Sequence, residues 1–147
     1  MALMQFLVVN EGDRTLDGMI GEFLPQEVFA HDFTWRFVEA WRTNVASGED
    51  SGAAFAEGLS GREREWHDAV LLGAGKTGSS GLSATDIMQD FVRAEWEAYL
   101  KRARGSLPAS GNAEADLMRV RLSMALKQFR QARWARVKDM IRDFRQH

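Results

Sequence analysis

Residues 26–46 read QEVFAHDFTWRFVEAWRTNVA, and large apolar side chains recur in this stretch at about every fourth position. That spacing places them along one face of an α-helix, which turns once every 3.6 residues. We therefore expect a helix that contributes much of a helical core. Its apolar row consists of Phe29, Phe33, Phe37, Trp41 and Val45, widened by Val28, Trp35 and Val38.

The same pattern returns further along the chain. Asp32–Trp41 aligns without a gap with Asp90–Tyr99, because both contain Asp-Phe, five residues and then Glu-Ala-aromatic. Each copy lies on a predicted helix that is followed, after a polar break, by another helix. Two interpretations stay open: a pair of related α-hairpins, or a chance likeness between helices that draw on a small alphabet.

Further helices are indicated by capping signals and by apolar periodicity. Asp13 and Ser83 precede apolar-periodic segments, and Ser60 with Glu63 has the spacing of a capping box. Gly-rich and Ser-rich stretches at 47–61, 73–81 and 106–111 are predicted loops. The sequence thus predicts an all-α orthogonal or up-down bundle of about five helices in one domain, 1–147. The predicted helices cover about 13–24, 26–46, 62–72, 84–105 (Ile87, Phe91, Ala98 and Tyr99 inward) and 112–146.

We expect residues 10–105 to form the helical core, and the two ends of the chain lie outside it. Met1–Val9 is apolar and has no basic residue ahead of it, so we interpret it as a short buried strand or a packed N-terminal arm. Residues 112–147 form a basic amphipathic helix. At 1.5 Å per residue it would span roughly 50 Å, more than a small domain, so it either breaks or projects.

Composition excludes several classes of site. The chain has no Cys, which excludes disulfides, thiolate nucleophiles and Cys-based zinc sites and suits a cytoplasmic location. No apolar stretch reaches the roughly 20 residues of a membrane span.

The charge is unevenly distributed along the chain, since residues 1–75 hold 13 acids and 5 bases whereas residues 76–147 hold 8 acids and 14 bases. Such asymmetry indicates halves that attract each other, or a face for nucleic acid or an acidic partner.

Gly73-Ala74-Gly75-Lys76-Thr77 is similar to a phosphate-binding loop but departs from its pattern. A P-loop needs Gly five residues before the Gly-Lys-Thr glycine, where this chain has Val70. The upstream segment also resembles a capped helix rather than a strand, and Gly78-Ser79-Ser80-Gly81 would break the helix that must follow. We expect a loop and no nucleotide site.

Glu27/His31 and Glu63/His67 share the spacing Glu-x-x-x-His, which on a helix places both side chains on one face. Two such helices could hold a metal ion, but ordinary surface pairs have the same spacing. There is also no Gly-x-Ser-x-Gly nucleophile elbow. The sequence therefore predicts no enzyme, no cofactor and no small-molecule substrate.

The C-terminal helix carries the remaining signal. Leu122, Leu126 and Phe129 begin one broad apolar face, and basic side chains surround or interrupt it around an aromatic residue. We predict a non-enzymatic interaction or assembly component (adaptor, structural subunit or inhibitor) that binds a protein partner or a second copy. The alternatives are nucleic-acid binding through this helix and, third, a metal- or nucleotide-dependent enzyme. The predicted partner-binding residues are Lys127, Arg130, Arg133, Trp134, Arg136, Lys138 and Arg142.

Overall fold

The structure is a computed structural model that describes residues 2–10, 13–46, 61, 83–109 and 111–146. Within these ranges the chain contains six α-helices, one short 3-10 helix and no strand. The predicted all-α class is confirmed. The helices are α1 (Ala2–Val9), α2 (Arg14–Phe23), α3 (Asp32–Ala46), α4 (Ala84–Gly105), α5 (Ala113–Gln131) and α6 (Trp134–Gln146), with the 3-10 helix at Gln26–Val28.

The chain divides into two compact units. One comprises residues 1–22 and 31–88, and the other comprises residues 23–30 and 89–147. The predicted helix at 62–72 and the loop at 73–81 lie outside the described residues, as does nearly all of the loop at 47–61. The hypothesis of two related hairpins therefore stays a prediction, and so does the single domain.

In the first unit the N-terminal apolar segment is a packed helix, and the strand alternative is wrong. Leu3, Met4, Leu7 and Val8 of α1 are buried, and α1 contacts α3. The Trp41 indole Nε1 donates a 2.7 Å hydrogen bond to the Leu7 carbonyl. The last carbonyls of a helix have no partner within that helix. The Leu7 carbonyl is one of them, and it accepts from Trp41 and, at 3.2 Å, from the Asn10 amide just beyond α1.

Helix α2 begins as its capping signal predicts. The Leu16 amide donates to the Asp13 carboxylate at 3.1 Å, which satisfies one of the orphan amides of the first turn. Leu16 and Ile20 are fully buried. Further along, Asp17 accepts a 2.7 Å hydrogen bond from Arg42 of α3, which joins the two helices by an ion pair.

The predicted helix at 26–46 is interrupted. Its first turn is the 3-10 helix Gln26–Val28, Phe29 is extended with ψ 127°, and α3 starts at Asp32. Glu27 and His31 consequently do not share one α-helical face, and the sequence expectation for that pair is wrong. The core row survives in part, because Phe37, Val38, Trp41 and Val45 are buried whereas Phe33 and Trp35 are only half-buried.

Helix α4 organises the second unit by satisfying carbonyls at the ends of other helical segments. The Trp96 indole donates to the Phe23 carbonyl at the last residue of α2. Arg102 donates to the Val28 carbonyl at 2.6 Å, where the 3-10 helix ends. These carbonyls lack partners within their own segments, so a donor on α4 replaces the water they would otherwise bind.

The boundaries of α4 follow the sequence prediction, but its buried face does not. The Asp86 amide donates to the Ser83 hydroxyl at 3.1 Å, and the helix ends at Gly105. The predicted inward residues Ile87, Phe91, Ala98 and Tyr99 are only half-buried. A second row on the same helix is also apolar, so periodicity alone could not show which of the two rows is buried. The row that packs inward is Met88, Val92, Trp96 and Leu100.

Helix α5 begins after a capped turn. The Asn112 side chain accepts a 3.1 Å hydrogen bond from the Ala115 amide. Its buried residues are Ala115, Leu126 and Phe129.

Among the described residues, no helix is both long enough and apolar enough to cross a membrane.

Candidate functional site

The predicted C-terminal helix at 112–146 is broken at Ala132 and Arg133. Ala132 is extended, with ψ 148°, and α6 begins at Trp134. Arg93 of α4 explains the break. Its Nη1 donates to the Phe129 carbonyl at 2.9 Å and to the Ala132 carbonyl at 2.8 Å. A cation at the C-terminal end of a helix also interacts favourably with the helix dipole.

The structure distributes the predicted partner-binding residues over both helices and the break. Lys127 and Arg130 lie on α5, and Arg133 lies in the break. Arg130 Nε is 3.5 Å from the Glu97 carboxylate of α4, and both side chains are partly exposed. The remaining four, on α6, are Trp134, Arg136, Lys138 and Arg142.

The cations of α6 do not form one face. Val137, Met140 and Ile141 are buried, and at about 100° per residue Arg136 and Lys138 fall on opposite sides of that buried stripe. The outer surface between them also carries carboxylates, since Asp139 and Asp143 are exposed. Arg142 lies 3.7 Å from Asp139. The exposed surface of α6 is therefore of mixed charge.

Trp134 contributes to packing within the second unit. It is half-buried, and its ring meets Phe23 edge-to-face, with centroids 5.3 Å apart and planes at 77°. Such a pair contributes roughly 0.5–1.5 kcal/mol beyond area burial. The Trp134 indole, predicted to bind a partner, thus already contacts an aromatic ring of this unit.

Helix α5 exposes apolar side chains that the sequence analysis did not select. Leu117 is 52% exposed, Val120 is 55% exposed and Met124 is 56% exposed. Met118, 43% exposed, lies beside them. Four of the five large hydrophobic residues that are exposed in the described part of the chain thus lie on this helix, between Leu117 and Met124.

These side chains form a regular row. Ala113, Leu117, Val120 and Met124 are separated by four, three and four residues, which is the spacing of the a and d positions of a coiled-coil seam. The row lies roughly opposite the buried side of α5, which includes Leu126 and Phe129. We call these four residues the α5 seam.

Two opposite charges border the α5 seam along one edge. Glu114 and Arg121 are both exposed and follow seam positions directly, two helical turns apart. Neither forms an ion pair with another described residue. The edge thus presents an acidic group near the start of the helix and a basic group near its middle.

Sequence reasoning missed the α5 seam because it looked for one apolar face on residues 112–146. Leu122, Leu126 and Phe129 were assigned to that face, and a second row on the other side of the same helix was not considered. The signal was available, since Leu117, Val120 and Met124 keep the 3-4 spacing.

Burial perturbs one acid in the second unit. Desolvation raises the pKa of Glu95 on α4 above the ordinary glutamate value, and the nearby Arg102 guanidinium opposes part of that rise. The folded state therefore binds this proton more tightly than the unfolded state does. Glu95 accordingly makes the protein less stable as the pH rises through its raised pKa.

Replacing Glu95 by Gln is expected to stabilise the protein at neutral pH, because the amide has no charge to desolvate. The gain should shrink as the pH falls through the raised pKa of Glu95 and vanish below the ordinary glutamate value near ~4.3, where the carboxyl is protonated in both the folded and the unfolded state. Urea unfolding followed by circular dichroism at a series of pH values measures the difference. A difference that does not change with pH would contradict the assignment.

The first unit contains a shallow groove of about 270 Å³, open to solvent. Trp35, Glu39 and Thr43 of α3 line it beside the Arg42–Asp17 ion pair. Arg42 also lies close to the backbone of α2, since a Cβ at Gly21 would approach its Nη2 to 2.7 Å. Arg42 and Asp17 thus bind each other, and Glu39 is the other charged residue that lines the groove.

The described residues contain no group of three or more His, Asp or Glu side chains placed to hold a metal ion. His31 is exposed at the start of α3. Glu63 and His67 lie outside the described residues, as does Gly73-Ala74-Gly75-Lys76-Thr77, so the expectations for both stay predictions.

Comparison of the chain with protein-family models, with curated proteins and with solved structures found no match.

Proposed function

We propose that the chain is a protein-interaction or assembly component and that its docking surface is the α5 seam. One observation carries the proposal: Leu117, Val120 and Met124 are each more than half exposed, in one row, on a helix whose other side is packed. We also propose that the chain has no catalytic role. Because the chain lacks Cys, we propose a cytoplasmic location.

The physical reason is the cost of leaving such a row in water. Burial of apolar surface stabilises a complex by about 25 cal/mol per Å². Scattered single hydrophobic residues are common on protein surfaces, whereas contiguous rows mark interaction sites. Leu and Met can adjust to a partner at little cost, and Met in particular is common at adaptable interfaces. The occupant that matches this spacing is an amphipathic helix.

The predicted basic residues fit this proposal as a rim. Lys127 is exposed and follows Met124 at the next position of the row, and Arg130 lies one turn nearer the end of α5. Interfaces commonly surround an apolar centre with polar and charged residues, which affect association rate and specificity more than affinity. Lys127 and Arg130 are the members of the predicted set that we assign to this role.

A photo-crosslinking amino acid in place of Val120, introduced in the cells that produce this protein, tests the proposal. We expect a discrete protein adduct that disappears when Leu117→Gln and Met124→Gln are added. The same crosslinker in place of Lys101, an exposed residue of α4, should give no such adduct. A nuclease-sensitive adduct would favour nucleic-acid binding instead, and no adduct would refute the proposal.

A further inference from the structure

On the basis of the proposed function, we infer that the α5 seam binds α5 of a second copy of this chain, in antiparallel orientation. A seam pairs with itself when its apolar positions and its bordering charges are both complementary under a two-fold axis. The α5 seam meets both conditions.

Complementarity of the apolar positions defines the register. In antiparallel helices, a and d positions face each other in layers. When Leu117 of one copy lies beside Val120 of the other, Ala113 lies beside Met124, and all four layers are apolar. Each layer then combines a larger side chain with a smaller one, so the spacing between the helices stays even.

Registers shifted by one heptad in either direction are less favourable. A shift by one heptad toward the end of α5 places Lys127 in a layer opposite Leu117, which would bury an ammonium group against an apolar side chain. A shift in the other direction runs past the start of the helix at Ala113. The antiparallel register with four apolar layers is therefore the favoured one.

The bordering charges support the same register. A two-fold axis perpendicular to the helices places the Glu114–Arg121 edge of one copy against the same edge of the other. Glu114 of one copy then lies within about 3 Å, along the helix axis, of Arg121 of the other. Two such pairs form across the axis. A parallel pairing would bring Glu114 near no basic residue of the seam edge.

Charge reversal tests both the partner and the register. Glu114→Arg leaves two basic residues on the edge, and Arg121→Glu leaves two acidic ones, so each single variant should repel its own copy. Each is expected to weaken dimerisation about fivefold or more. The double variant, and an equimolar mixture of the two single variants, should restore association, because opposite charges face each other again.

Sedimentation velocity of the full chain, from about 5 µM to about 500 µM, measures the association, since a seam of four layers predicts a reversible dimer. Lys101→Glu on α4 is the matched control and should dimerise like the parent. Circular dichroism confirms that each variant is helical. Restoration by the double variant supports the inference. The inference is overturned if the parent stays monomeric, or if the double variant dimerises no better than the single ones.

These outcomes separate the inference from the proposed function. If the chain stays monomeric while Val120 crosslinks to a different protein, the seam is a docking surface and the second copy is not its occupant. If there is neither self-association nor a protein adduct, both proposals fail.

Discussion

Replacing Trp41 by Ala is expected to lower the free energy of unfolding by about 3–5 kcal/mol, the range typical of removing a fully buried Trp. Trp41 is completely buried on α3, and its indole donates to the Leu7 carbonyl of α1 at 2.7 Å. The Ala variant removes both the packing and the donor, so the packing of α1 against α3 should weaken. Urea unfolding followed by circular dichroism measures the change.

Trp41→Phe separates the two contributions. The benzene ring retains much of the apolar contact, while the Leu7 carbonyl keeps only its 3.2 Å hydrogen bond from the Asn10 amide. Loss of the indole hydrogen bond should cost about 0.5–1.5 kcal/mol. Trp134→Phe is the control, because the ring keeps its contact with Phe23 and no described group accepts from the Trp134 indole. If Trp41→Phe is no more destabilising than Trp134→Phe, the hydrogen bond is not an anchor.

Replacing Arg93 by Met is expected to lower the free energy of unfolding by about 2–4 kcal/mol, since hydrogen bonds from a charged donor contribute about 1.5–3 kcal/mol each. Arg93 donates to the Phe129 and Ala132 carbonyls, which end α5. Without these bonds the break between α5 and α6 should open. Amide hydrogen exchange across residues 129–137 should accelerate, and urea unfolding measures the stability.

Arg130→Met provides the comparison for Arg93→Met. Arg130 is exposed and lies 3.5 Å from Glu97, so the same chemical change should cost roughly 1 kcal/mol or less. If the two variants are equally stable and exchange at equal rates, the Arg93 contacts do not hold the break.

Local signals predicted several features well. The start of α2 at Asp13, the start of α4 after Ser83 and its end at Gly105 were readable because capping groups and Gly act within one helical turn. The all-α class followed from apolar side chains at the helical period in most of the chain. These features depend on interactions between residues that are close in sequence.

The candidate site was predictable only as a region. The sequence singled out residues 112–146 as the segment most available to a partner, and the α5 seam lies within it. The particular residues were different, because Leu117, Val120 and Met124 compete with Leu122, Leu126 and Phe129 for the core. Both rows have helical spacing, and the pattern itself does not say which one faces the core.

The sequence by itself therefore determined the all-α class, the ends of α4, the start of α2 and the presence of a second apolar row on α5. Long-range contacts made the other choices. Trp41 of α3 contacts the N-terminal segment that is a helix rather than a strand, and Arg93 of α4 stabilises the end of α5 at a point where the sequence has neither Gly nor Pro. Both act across more than 30 residues of sequence, because each donates a side-chain hydrogen bond to a carbonyl at the end of another helix. A partner of that kind is visible only once the helices are packed together.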